Sequence, residues 1–122
     1  MRTKNLILDL SLQFALEIIE YSELLESSRK YVIANQLLKS GTSIGANIRE
    51  AQGAESKADF IHKFKIADKE INETDYWLTL CQLSEKYPSP PKEMLEHLKS
   101  IKNVASKIII SSRRDNNQSP GQ

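Results

Sequence analysis

Residues 40–50 read SGTSIGANIRE, and this stretch decides how the fold is interpreted. It contains two glycines four positions apart, Gly41 and Gly45, although the sequence on both sides has helical periodicity. A glycine inside a helix costs about 1 kcal/mol relative to alanine. Two glycines one turn apart indicate a role in packing, because a helix face without side chains lets another backbone approach it closely.

Gly41 lies on the apolar stripe of its segment, and Gly45 lies one turn later at the edge of that stripe. The approaching backbone can belong to a neighbouring helix of the same chain or to a second subunit. Periodicity leaves both interpretations open.

Four segments with helical spacing of apolar residues account for most of the chain: 5–27, 29–53, 56–86 and 91–111. Gly53 is expected to cap the second helix, and Ser56 to begin the third with Asp59 in a capping box. The prolines at 88, 90 and 91 end the third segment, and Pro91 suits the first turn of the fourth.

The inner stripe of each segment can be written down from this spacing. We expect Leu6, Leu10, Phe14, Ile18 and Tyr21 in the first; Ile33, Leu37, Gly41, Ile44, Ile48 and Ala51 in the second; Phe60, Phe64, Ala67, Ile71, Thr74, Leu78 and Cys81 in the third; and Met94, Leu98, Ile101, Ala105 and Ile108 in the fourth. Four such helices joined by short loops predict an all-α, antiparallel up-down-up-down four-helix bundle over residues 1–112. Residues 113–122 are polar and lack periodicity, so we expect a disordered tail.

Composition narrows the class of protein further. The 122 residues suit one domain, and the single Cys81 has no partner within the chain for a disulfide. No secretory signal is recognisable, and no apolar run approaches the roughly 18 residues that span a bilayer. These features predict a cytoplasmic protein without membrane association.

Residues that could support catalysis or bind metal are sparse. A di-iron bundle repeats Glu-x-x-His on facing helices, whereas this chain offers only Asp59-x-x-His62, and Glu93 and His97 are four apart. Neither histidine has a local Ser or Cys partner, and no phosphate-binding glycine loop is present. The sequence predicts a protein that is not an enzyme and holds neither metal nor cofactor.

Two polar stripes flank the apolar ones. One contains Gln36, Ser40, Ser43, Asn47 and Glu50, and the other contains Lys63, Ile66, Glu70, Glu73 and Trp77. Such stripes are commonly solvated, but Ile66 and Trp77 favour partial burial, between helices or between subunits. We therefore assign Asn47, Glu50, Glu73 and Trp77 to close packing or an interface, as structural rather than catalytic residues.

The net charge of +1 hides an uneven distribution. In an up-down-up-down bundle, residues 1–13, 43–67 and 102–122 share one end, which we call the basic end; it has ten Lys and Arg against five acidic residues. The opposite end has seven against eleven. A basic end attracts phosphate backbones. The candidate nucleic-acid contacts are Arg49, Lys57, Lys63, Lys65, Lys107, Arg113 and Arg114.

The stretch QLLKSGTSIGANIREAQGAESKADFIHKFKIADKEINETDYWL, residues 36–78, resembles the 23S rRNA intervening-sequence proteins, also called S23. Asn47-Ile48-x-Glu50 and Glu73-x-x-Tyr76-Trp77-Leu78 carry the likeness, and Ala51 departs from the glycine of many relatives. The resemblance implies a four-helix bundle that assembles as a homopentamer and has no established enzymatic activity. Some relatives are encoded within insertions in ribosomal RNA genes. A related branch, the accessory proteins of diversity-generating retroelements, binds nucleic acid and a reverse transcriptase.

Two functional hypotheses follow. The first is an oligomeric accessory protein that binds RNA or DNA at its basic end, associated with rRNA intervening sequences. The second is an oligomeric scaffold for protein partners without nucleic-acid binding. Salt-dependent retention of RNA or DNA distinguishes them.

Overall fold

The structure, a computed structural model, describes residues 3–117, which form four α-helices. They are α1 (Thr3–Ser27), α2 (Tyr31–Ala51), α3 (Lys57–Leu83) and α4 (Lys92–Asn117). No strand occurs within these residues. The predicted all-α class is confirmed.

The helices are antiparallel and form a closed square. Each helix packs against the next along the chain and α4 packs against α1, whereas the diagonal pairs have no close backbone approach within residues 3–117. The contacts between α1 and α2 show the antiparallel arrangement. Gly41 lies against Ile18, and Gly45, one turn later on α2, lies against Ser11, which comes earlier on α1. The up-down-up-down prediction is therefore confirmed, and the turn between α2 and α3 lies at the basic end.

The turn between α1 and α2 is a Schellman motif. The Lys30 amide donates to the Leu25 carbonyl (2.8 Å), and the Arg29 amide donates to the Glu26 carbonyl (2.9 Å). Arg29 adopts a φ of 65°, a left-handed conformation that usually favours glycine. The motif satisfies carbonyls that the end of α1 would otherwise leave unpaired.

The turn between α2 and α3 differs in part from the prediction. The amides of Gln52, Gly53 and Ala54 donate to carbonyls three residues earlier. The chain therefore tightens into the hydrogen-bond pattern of a 3₁₀-helix at the end of α2. Gln52 is the C-cap of α2, so the expectation that Gly53 caps this helix was wrong, and Gly53 does not have a left-handed φ. Ser56 does cap α3, because its Oγ accepts a hydrogen bond from the Asp59 amide (3.0 Å).

Two helix ends differ from their predicted positions. α3 ends at Leu83, three residues before residue 86, and the Tyr21 hydroxyl donates to the Pro88 carbonyl in the following loop. α4 continues to Asn117, six residues beyond residue 111, because no Gly or Pro occurs between Pro91 and Pro120 to interrupt it. Residues 113–117 of the expected tail are thus helical, and residues 118–122 lie outside the described residues.

The core matches the α3 stripe best. From Phe64 to Cys81 every predicted position is buried, and only Phe60 at the start is partly exposed. In α1 the prediction was shifted, since Ile7 and Ser11 are buried in place of Leu6 and Leu10. The other corrections are single positions, Ala34 in place of Ile33 in α2 and Ile109 in place of Ile108 in α4. Cys81 is fully buried, as expected of a packing residue.

Candidate functional site

The two glycines of α2 face α1 of the same chain. A Cβ added to Gly41 would lie 2.7 Å from Cγ1 and 2.9 Å from Cγ2 of Ile18, closer than real side chains pack. A Cβ on Gly45 would meet the Ser11 Oγ at 3.4 Å, an ordinary contact. Close approach within the bundle thus accounts for Gly41, and the seam between α1 and α2 depends on it.

The polar stripes meet along the seam between α2 and α3. The Lys63 Nζ donates to Glu50 Oε1 (2.9 Å), and the Asn47 amide donates to the Ser43 carbonyl (2.8 Å). The Trp77 indole donates to Glu73 Oε2 at 3.2 Å. All these bonds lie within one chain, and the Glu50 side chain is 59% exposed. The buried polar contact across this seam is made not by Asn47 or Glu50 but by the Thr74 hydroxyl, which donates to Ser40 Oγ (2.9 Å).

The predicted basic residues divide among different faces of the bundle. Arg49 borders the seam between α1 and α2, while Lys63 lies on the seam between α2 and α3. Lys57 is exposed in the first turn of α3. On α4, Lys107 and Arg114 are also exposed. These five cations share an end of the bundle, but no two of them line the same one of the four grooves found among the described residues.

The remaining two, Lys65 and Arg113, do converge. They line a groove of about 480 Å³ between α3 and α4, which we call the α3–α4 groove. Its other lining residues are Asp68, Lys69, Ser106, Ile109 and Ile110. Lys69 was not predicted as a contact, because the boundary between the two ends of the bundle was placed after residue 67. Its i,i+4 spacing from Lys65 is the signal that would have found it.

The cations of the groove differ from those around it in whether they are paired with an acid. The hydrogen bond and the negative charge of Glu50 raise the pKa of Lys63, so that its cation is already compensated. Lys102 donates to Asp68 (2.8 Å) and to Asn72 (3.0 Å), which compensates the acid of the groove. The described residues contain no ion pair that involves Lys65, Lys69 or Arg113.

At the opposite end, the groups with perturbed pKa values are buried rather than reactive. Burial raises the pKa of Tyr21 and, in the same cluster, the pKa of the Cys81 thiol. A thiol that stays protonated is a poor nucleophile. Glu17 contacts the His97 Nδ1 at 2.9 Å and joins α1 to α4. Within residues 3–117, no group of three or more His, Cys, Asp or Glu could hold a metal ion.

An exposed surface of α1 is apolar. Leu12, Leu16 and Ile19 follow helical spacing on α1 and are 54%, 52% and 39% exposed. We call these three residues the α1 stripe. Leu8, next to it, borders a shallow groove shared with α2. Large contiguous apolar surface on a soluble protein commonly marks an interaction site.

Comparisons with known proteins agree with one another. A family model described as "23S rRNA-intervening sequence protein" matches residues 3–111. A crystal structure of a protein of unknown function from the S23 ribosomal protein family of Bacteroides thetaiotaomicron is 44% identical, with a TM-score of 0.65. That match covers 87% of this chain and 94% of the other. No curated protein matches. No helix among the described residues is long and apolar enough to cross a membrane.

Proposed function

The chain belongs to the 23S rRNA-intervening sequence protein family, and from that premise we propose that it is a non-enzymatic, oligomeric nucleic-acid-binding protein of the cytoplasm. In this proposal it acts as an accessory protein associated with rRNA intervening sequences. The observation that carries the proposal is a group of three cations in and next to the basic end, Lys65, Lys69 and Arg113, which the fold brings to one groove and which have no ion pair among the described residues. Cations so placed attract the phosphates of RNA or DNA.

Self-association is supported by the α1 stripe. The three large apolar side chains lie outside the core and remain partly exposed in one subunit. The family resemblance implies a pentamer, and we propose a closed ring. A ring of parallel subunits brings five basic ends to one rim. Binding through several weak contacts then becomes strong, because each further contact is intramolecular once the first has formed.

The alternative function is an oligomeric protein-interaction scaffold that does not bind nucleic acid. The α1 stripe favours it equally, because apolar surface recognises protein rather than phosphate. The two functions differ in the role that they give to the basic end. Only the nucleic-acid-binding function requires that removal of Lys and Arg from the basic end weakens the binding of RNA or DNA.

Two measurements test the proposal. Light scattering at micromolar concentration is expected to give about five times the chain mass of 13.9 kDa; a monomer mass contradicts the oligomer. Filter binding of a short duplex RNA between about 50 and 200 mM salt is expected to show affinity that falls steeply with salt. Absence of RNA binding at the lowest salt concentration contradicts the nucleic-acid-binding function and favours the protein-interaction scaffold.

A further inference from the structure

We propose that the α3–α4 groove is the surface that contacts nucleic acid, and that it binds the phosphate backbone of a duplex without reading the bases. This inference rests on the proposed function and specifies it. It assigns the contact to Lys65, Lys69 and Arg113, whereas the sequence alone distributed it over the whole basic end.

The cations stand on both walls of the groove. Lys65 and Lys69 lie one turn apart on α3, about 6 Å along its axis, and Arg113 lies on α4. Lys69 also acts on the neighbouring Glu70, whose pKa is raised mainly by burial and by Glu73 and is lowered in part by Lys39 and Lys69. The positive charge can engage a phosphate, because the part of the chain that the structure describes holds none of the three cations in an ion pair.

The single acid of the groove does not cancel this charge. Asp68 accepts a hydrogen bond from Lys102, which approaches from α4 and also bonds Asn72. The acid is therefore already neutralised by a cation that lies outside the groove lining. The net charge presented to a ligand is that of Lys65, Lys69 and Arg113.

The remaining residues of the groove lining indicate whether the groove contacts the phosphate backbone or the bases of a nucleic acid. Ser106, Ile109 and Ile110 complete it, and the lining includes no aromatic side chain. Proteins that bind single strands combine cations with aromatic platforms on which bases stack. Contacts to phosphate alone position a protein without sequence information. A groove with cations and no stacking platform thus favours the backbone of a duplex.

The test compares two triple variants with equal charge loss at the same end of the molecule. The groove variant is Lys65→Gln/Lys69→Gln/Arg113→Gln. The matched control is Arg49→Gln/Lys57→Gln/Lys107→Gln, whose residues are exposed and do not line the groove. Glutamine keeps the helix propensity of lysine and arginine, and thermal melts verify that both variants fold. Arg113→Gln alone serves as a milder second variant.

The readout is fluorescence anisotropy of a short duplex RNA across salt. Each phosphate contact contributes about 0.9 to the slope of log K against log salt. The groove variant is expected to lower that slope by about 2.7 for each engaged subunit, Arg113→Gln by about 0.9, and the control by much less. An oligo-dT single strand is expected to bind wild type more weakly than the duplex.

The outcomes separate the two levels of the proposal. Wild type that fails to bind at low salt overturns the proposed function and the groove together. Wild type that binds while groove variant and control lose equal slope overturns the groove and leaves the proposed function. A single strand that binds more tightly than the duplex overturns the assignment to duplex backbone.

Discussion

Replacing Gly41 by alanine tests the packing argument most directly. The added methyl group would lie 2.7, 2.9 and 3.0 Å from three side-chain carbons of Ile18. Ile18 is β-branched and fully buried, so its χ1 has little freedom to move these atoms away. Gly45, one turn later on the same seam, is the matched control, because a methyl group there meets Ser11 at ordinary contact distance.

Two opposing terms set the magnitude. Alanine in place of glycine in a helix interior gains about 1 kcal/mol at either position. Overpacking costs about 1–3 kcal/mol, and only Gly41 incurs it. We therefore expect Gly45→Ala to raise the free energy of unfolding by up to about 1 kcal/mol and Gly41→Ala to lower it by about 1 kcal/mol. Gly41→Leu is expected to be more disruptive still, because three further carbon atoms must be accommodated.

The assay is urea unfolding followed by circular dichroism at one fixed protein concentration, since assembly makes apparent stability depend on concentration. The double variant Ile18→Ala/Gly41→Ala provides the specific control. Ile18→Ala alone is expected to cost about 2–5 kcal/mol. Because it also removes the clashing atoms, the double variant should be more stable than the sum of the single effects. Gly41→Ala as stable as Gly45→Ala, or strict additivity with Ile18→Ala, would refute the reasoning.

Three further substitutions have expected outcomes in the same assay. Arg29→Gly should stabilise by about 1 kcal/mol, because glycine adopts the left-handed conformation without strain; an unchanged midpoint would contradict this. Glu50→Ala should cost no more than about 1 kcal/mol, since its pair with Lys63 is largely exposed; a larger loss of stability would show that Glu50 has a buried role in the assembly. Thr74→Val should cost about 1–3 kcal/mol by leaving the buried Ser40 hydroxyl unpaired, and Ser40→Ala added to it should recover most of that loss.

The fold was predictable where one helix face is apolar and the others are not. The stripes of α2 and α4, the helices whose apolar residues are most strongly confined to one face, were each right except at one position. α1 is apolar on two faces, since Leu12, Leu16 and Ile19 are exposed while Ile7 is buried. Periodicity alone could not choose which face points inward, and the prediction for the start of α1 was shifted.

The basic end was predictable, but its division among faces was not. Sorting residues by height along the bundle uses only the alternation of helix direction. It carries no information about the angle around the bundle axis, which separates Arg49 from Lys65 and pairs Lys63 with Glu50. The same limit left Gly41 open between two interpretations until Ile18 was seen against it.

The unequal seams of the bundle explain why the groove lies beside α4. Small residues on α2, among them Ala34, Ser40 and Gly41, let it pack closely against α1 and α3, whereas α4 packs less closely against its neighbours. The larger grooves consequently border α4.

Charge then distinguishes the grooves that border α4. The one shared with α1 is lined by Glu17, Glu20 and Glu93 and repels phosphate. The one shared with α3 near the basic end carries uncompensated Lys and Arg. Gly41 and the other small residues of α2 thus act on the candidate site indirectly, because the two seams that they close leave the wider grooves at the seams of α4.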